Sequence, residues 1–212
     1  MALRRFQIDV EGTAPLLLSS NVSSDPLSPE AKLRKHFTSK KSKVDQDHIN
    51  LRMLDWVYSG YWSLPGEVIL DEAENALRFE GYGNLYLPAQ NFARCLRNGA
   101  TAWRLGKDVT RAVIIENSPL IEYDGPDTAA ELWIDRRFRH NASTVRMGKT
   151  NWISRIVIPV WKCAYTATVD DEKITLEQLF SICNAAGRFE GVGTWRPRFG
   201  RFSSVITEID TN

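Results

Sequence analysis

Gly187-Arg188-Phe189-Glu190-Gly191-Val192-Gly193-Thr194-Trp195-Arg196-Pro197-Arg198-Phe199-Gly200-Arg201-Phe202 is the most informative stretch of this chain. Its glycines allow backbone conformations and close approaches closed to other residues. Arg196, Arg198 and Arg201 alternate with Trp195, Phe199 and Phe202. Arginine forks match phosphate oxygens, and an exposed aromatic ring offers a base a surface to stack on. The stretch leads into a strand, Phe202 to Ile209, and no lysine follows the glycines as a nucleotide-phosphate loop would need. Immediately upstream, Thr175 to Ala186 has helical spacing, with Leu176, Leu179, Phe180 and Cys183 expected inward. Thr175 and Gln178 form a capping box, and Gly187 stands at the expected C-terminal cap.

Outward from this helix–loop–strand unit, the rest of the skeleton can be placed. Phe6 to Gly12 alternates as a half-buried strand, and Ser19 to Pro29 has the composition of a loop. The basic run from Lys32 to Lys43 reads as a solvated segment, followed by a helix over 44–58 with Ile49, Met53, Trp56 and Val57 on one face. Short strands are expected at 68–70 and 76–79. A helix from Ala89 to about Trp103 presents Phe92, Cys95, Leu96 and Ala100 inward and leaves Arg94 and Arg97 off that face. Val109 to Ile115 and Leu120 to Tyr123 read as strands, and Asp124-Gly125-Pro126-Asp127 as a turn. A β-rich run covers 153–169. Two helices against one face of an antiparallel sheet predict an α+β fold of ferredoxin-like or RNA-recognition-motif type. One domain over 1–212 is expected, with long insertions near 20–60 and 126–150.

Composition is that of a globular chain, with 43% hydrophobic and 25% charged residues. The net charge of +1 hides segregation. Lys32 to Lys43 carries six Lys/Arg and no acid; Arg136 to Lys149 carries five and no acid; Arg188 to Arg201 carries four arginines and only Glu190. Cys95, Cys163 and Cys183 have no metal or redox spacing and read as buried thiols of a reducing, cytoplasmic protein. No apolar run approaches a membrane span, and no cofactor or metal is expected.

The Gly191-to-Phe202 segment resembles the C-terminal glycine-rich loop of the RAMP superfamily, which includes backbone and RNA-processing subunits of CRISPR effector complexes. Leu85-Tyr86-Leu87-Pro88-Ala89-Gln90-Asn91-Phe92-Ala93-Arg94-Cys95-Leu96-Arg97 is similar to that family's strand, Ile-Pro, helix and Leu-Arg segment. The form of the arginine loop is most similar to solitary RAMP-like proteins of bacteriophages, which would place it in a host cytoplasm. The resemblance implies a modified RNA-recognition-motif fold, finger-like insertions and subunits stacked along a strand. It also implies that Arg94 and Arg97 lie near a nucleic-acid groove and that Gly191, Gly193 and Gly200 shape its rim. The aromatic signature of ordinary RNA-recognition motifs is not apparent on the strands, so contacts are expected from loops.

These readings converge on single-stranded RNA or DNA as partner, bound without catalysis by an oligomer coating the strand. The expected contacts are Arg94, Arg97, Arg188, Trp195, Arg196, Arg198 and Arg201, with Lys40, Lys41, Lys43, Arg136, Arg137, Arg139, Arg146 and Lys149 from the two basic insertions. Two rival classes stand beside this. One is a metal-independent RAMP-type endoribonuclease, for which His36 in the basic run is the candidate acid or base. The other is an assembly or inhibitor protein that binds a protein partner.

Overall fold

The computed structural model describes residues 3–146 and 148–209, without the side chains of 144–146 and 149–151. In chain order the elements are β1 (Leu3–Gly12), β2 (Leu16–Leu17), α1 (Pro29–Thr38), α2 (Asp45–Val57), β3 (Glu67–Asp71), β4 (Ala76–Glu80), α3 (Ala89–Gly99), α4 (Gly106–Ala112) and β5 (Val113–Ile115). They continue with α5 (Ala129–Ile134), β6 (Arg139–Arg146), β7 (Lys149–Ile158), β8 (Lys162–Asp170), α6 (Leu176–Ala185) and β9 (Phe202–Ile209). Helices and open antiparallel sheets in one chain make this an α+β protein. The chain forms two compact units.

The first unit comprises Met1–Leu16, Tyr86–Asp124 and Ile158–Asn212. Its sheet runs β5-β8-β1-β9, with every neighbouring pair antiparallel. Phe6, Ile8 and Val10 alternate onto one face of β1, as Cys163, Tyr165, Ala167 and Val169 do on β8. Phe92, Cys95 and Leu96 of α3, and Leu179, Ile182 and Cys183 of α6, are buried with them. The Phe92 and Tyr165 rings lie 4.3 Å apart, and Phe202 meets Phe92 edge-on. Burying apolar area at about 25 cal/mol per Å2 makes this layer the main source of the unit's stability.

Several expectations are corrected here. Residues Gly106–Ala112 are helical, and only Val113–Ile115 form a strand. Val109, Ala112 and Val113 fall at i, i+3 and i+4, a helical spacing that the strand reading passed over. Leu120 and Glu122 make isolated bridges to Tyr86 and Lys162 rather than a strand. The capping box at Thr175 is present, but Phe180 is 46% exposed instead of inward. Gly187 does not end α6; the chain continues through a π-type turn, Ala186–Glu190, that stops at Gly191 with φ 73°. A side chain at Gly187 would strike the Phe202 carbonyl, which is the reason for glycine there.

The second unit comprises Leu17–Leu85 and Gly125–Val157. Trp56 of α2 is its centre: fully buried, stacked 5.9 Å from Phe79 and donating from Nε1 to the Phe138 carbonyl at 2.8 Å. β3 and β4 form one hairpin and β6 and β7 another, with β2 beside β7. The basic run read as a solvated loop is largely helix α1. Ser28 accepts from the Ala31 amide as N-cap, Pro29 opens the first turn, and Phe37 is fully buried. On α2, Ile49 is exposed while Asp47 and Asn50 are buried, so the inward face is shifted from the expected one.

Candidate nucleic-acid interface

In the first unit the loop after α6 is closed by backbone hydrogen bonds, within itself and to Pro15. The Gly191 amide donates to Ala186 O at 2.8 Å, Val192 to Gly200 O at 2.9 Å, and Gly200 to Pro15 O at 2.8 Å. Gly191, Gly193, Trp195 and Gly200 all have φ between 53° and 77°, a region costly for side-chain-bearing residues. A side chain at Gly200 would run into the Val192 carbonyl. The positive φ at 191, 193 and 200 accounts for glycine at these positions.

This closed loop carries the arginines. Arg188 is exposed and lies over the Phe189 ring at 5.4 Å; Arg198 is exposed, 6.0 Å from the Phe199 centroid; Arg201 is exposed. Arg196 is half-buried and donates to Gly191 O at 3.3 Å, so it also braces the loop. Trp195 is 36% exposed, with its ring 6.4 Å from Phe199. Phe202 is buried and Phe199 half-buried.

Helix α3 packs on the turn that begins the loop. Gly99 abuts Ala186, the Cys95 thiol donates to Ala186 O at 3.4 Å, and Asn98 donates to Glu190 at 3.3 Å. Arg94 and Arg97 are exposed on this helix and line a cleft with Gln90, Thr110 and Val113. The fold therefore gathers both stretches of the resemblance into one unit. Lys107 and Arg111, on exposed positions of α4, were not anticipated; the strand expected over 109–115 left out the helical turn that carries both.

The face of the sheet away from the helices has a different character. Arg5 is paired with Glu116 at 2.7 Å, and Lys162 with Glu11 at 3.1 Å. Asp9 and Gln7 lie between them, and no aromatic side chain of β1, β8 or β9 projects there. It offers no stacking platform, in keeping with the strand sequences.

In the second unit several expected contacts are engaged internally. Lys40 donates to the buried Asp47 at 2.5 Å. The hydrogen bonds from Lys40 and then Asn75 hold the Asp47 carboxyl down at about 2, against its burial. Lys43 caps the C-terminus of α1, donating to Lys40 O at 2.7 Å and Thr38 O at 3.2 Å. Arg137 forms a bidentate pair with Asp135, and Arg139 stacks 4.7 Å from Trp133 and donates to Ile134 O. Lys41 and Arg136 are exposed. The side chains of Arg146 and Lys149 lie outside the described residues. Trp152, 63% exposed on β7, was missed; it continues the alternation of Ser154 and Ile156 beyond the point where that face is covered.

His36 is exposed on α1, edge-on to Phe37 at 5.0 Å. Burial pushes the Cys95, Cys163 and Cys183 thiols up to about 12, so none is a thiolate nucleophile at neutral pH. Among the described residues no cluster of three His, Cys, Asp or Glu could hold a metal ion, and no helix is long and apolar enough to cross a membrane. Neither a protein-family model nor a curated protein matches the chain.

Proposed function

We propose that the protein binds single-stranded nucleic acid, RNA or DNA, without cleaving it, and that copies assemble along the strand. The observation that carries this reading is the closed loop from Gly187 to Phe202. It holds four arginines and Trp195 on a braced backbone, against the single acid Glu190, beside two more exposed arginines on α3. Such donors release counterions from phosphates, and the tryptophan supplies a sequence-tolerant stack. The element order β-α-β-β-α-β, counting β1, α3, β5, β8, α6 and β9, with sheet order β5-β8-β1-β9, supports a ferredoxin-like reading of the first unit. That reading and the two motifs support a place near the RAMP superfamily. The insertions, between β1 and α3 and between β5 and β8, build the second compact unit.

The test is titration with labelled single strands and the matching duplex across salt. Affinity for the single strand exceeds that for the duplex and falls steeply as salt rises. Replacing Arg196, Arg198 and Arg201 together by alanine lowers affinity and flattens the salt slope by roughly one for each phosphate no longer neutralised. Parent-like affinity in that variant removes the loop from the site, and absence of single-strand binding at low salt ends the proposal.

A further inference from the structure

Strand β9 borders the sheet of the first unit and is bonded to β1 alone. Its pairing is continuous from Gly12↔Phe202 to Arg5↔Ile209, so no bulge twists it away. Among the described residues no backbone hydrogen bond is made from its outer side. Exposed edges are normally blunted by lysine, proline, a bulge or shortness. Phe202-Ser203-Ser204-Val205-Ile206-Thr207-Glu208-Ile209 has no lysine, proline or bulge, and its one charge, Glu208, is neutralised by Arg4 at 2.6 Å, whereas β5 at the other border has only three residues.

Apolar side chains flank this edge on both faces of the sheet. Val205, on the open face, is 65% exposed. On the helix face, α6 packs on β9 and on α3. Its flank toward the turn after α3 is set by Glu177, Gln178, Ser181 and Ile182, which share a cleft with Trp103 and Leu105. At 100° per residue, Leu176 and Phe180 then fall on the opposite flank, over the β9 edge. This accounts for Phe180 being exposed on a helix whose spacing predicts it inward.

We propose that β9 is the seam of a two-fold homodimer, pairing antiparallel with β9 of a second copy about Val205. The occupant is a second copy because the strand is self-complementary. A two-fold at Val205 sets Val205 opposite itself, Ser204 opposite Ile206, Ser203 opposite Thr207 and Phe202 opposite Glu208. Every pair shares a sheet face, and the strand's single charge never meets its like. The two sheets become one, Val205 is covered on the open face, and Leu176 and Phe180 of both copies line the helix side of the seam. Such an isologous contact closes on itself. Of the candidate nucleic-acid contacts only Arg201, just before β9 and opposite Ile209 in this register, stands at the end of the seam; the pairing itself is strand to strand and needs no nucleic acid.

Engineered thiols on the full chain test the register, because the native cysteines are buried. Opposed residues in an antiparallel pair lie about 4.5–5.5 Å apart at Cα, within disulfide reach. Oxidised Val205→Cys forms a covalent dimer on its own. Ser203→Cys alone does not, but crosslinks when mixed with Thr207→Cys. In parallel, sedimentation equilibrium of nuclease-treated protein in high salt shows a dimer for the parent and a monomer for Val205→Lys and Phe180→Glu, with thermal unfolding intact. A parent that stays monomeric at the highest concentration reached, a dimer that survives Val205→Lys, or equal crosslinking by Ser203→Cys alone overturns the proposal. Because no strand is present, these outcomes are independent of whether the protein binds nucleic acid.

Discussion

At the scale of single residues, the structure separates cations that are available from cations that are committed. Lys40 and Lys41 are neighbours in sequence, yet Lys40 is tied to the buried Asp47 while Lys41 faces solvent. Lys40→Ala therefore lowers the stability of the second unit, and Lys41→Ala lowers strand affinity; denaturation and binding measured on both variants separate the two roles. Asp47 also sets a pH dependence. Its folded pKa, about 2, lies below the ordinary value, so its contribution is present above pH ~4 and is lost as pH falls toward 2. Acid titration followed by circular dichroism shows this loss, and Asp47→Asn removes that part of the profile. Trp195→Ala tests the stack: a loss of about 1–3 kcal/mol in single-strand binding is expected if a base rests on the ring.

At the scale of elements, α6 and the loop after it are built from different kinds of information. The Thr175–Gln178 capping box is wholly local, and Thr175→Ala costs about 1 kcal/mol of stability without touching the arginines. Gly200 is required by the loop's closure on Val192 and by its φ of 72°. Gly200→Ala strains a backbone contact that has no flexible side chain to yield, at about 1–3 kcal/mol. It reshapes the loop and weakens binding, whereas Thr175→Ala leaves affinity unchanged; paired denaturation and binding curves distinguish them.

At the scale of the whole molecule, a chain of 212 residues would cover only a short length of the strand proposed as its ligand. Its segregated charges suit contacts between unlike surfaces of successive copies. Light scattering with strands of increasing length should show particle mass rising with length. A constant mass with one copy per strand would leave binding intact and remove the assembly. The two compact units also follow from where the insertions enter. Leu17–Leu85 precedes α3 and Gly125–Val157 precedes β8, so two separate stretches build the second unit.

What the sequence determined by itself is local. Alternation places Phe6, Ile8 and Val10 on one face of β1, and helical spacing places Phe92, Cys95 and Leu96 on one face of α3. The glycines at 191, 193 and 200 mark a backbone that only they adopt readily. Periodicity, however, says which side chains share a face and not what covers that face. For this reason Phe180 and Ile49 fit the helical spacing yet stand exposed. The run from Lys32 reads as a loop because the signal that starts α1, the Ser28-Pro29 cap, lies upstream of it in a segment of loop composition. The strand order β5-β8-β1-β9, the Arg5–Glu116 pair across 111 positions and the Asp47 pocket with Asn75 depend on partners far apart in the chain. Only tertiary packing brings those groups within reach, so only the folded chain decides which arginines and lysines are tied to internal partners and which stay exposed.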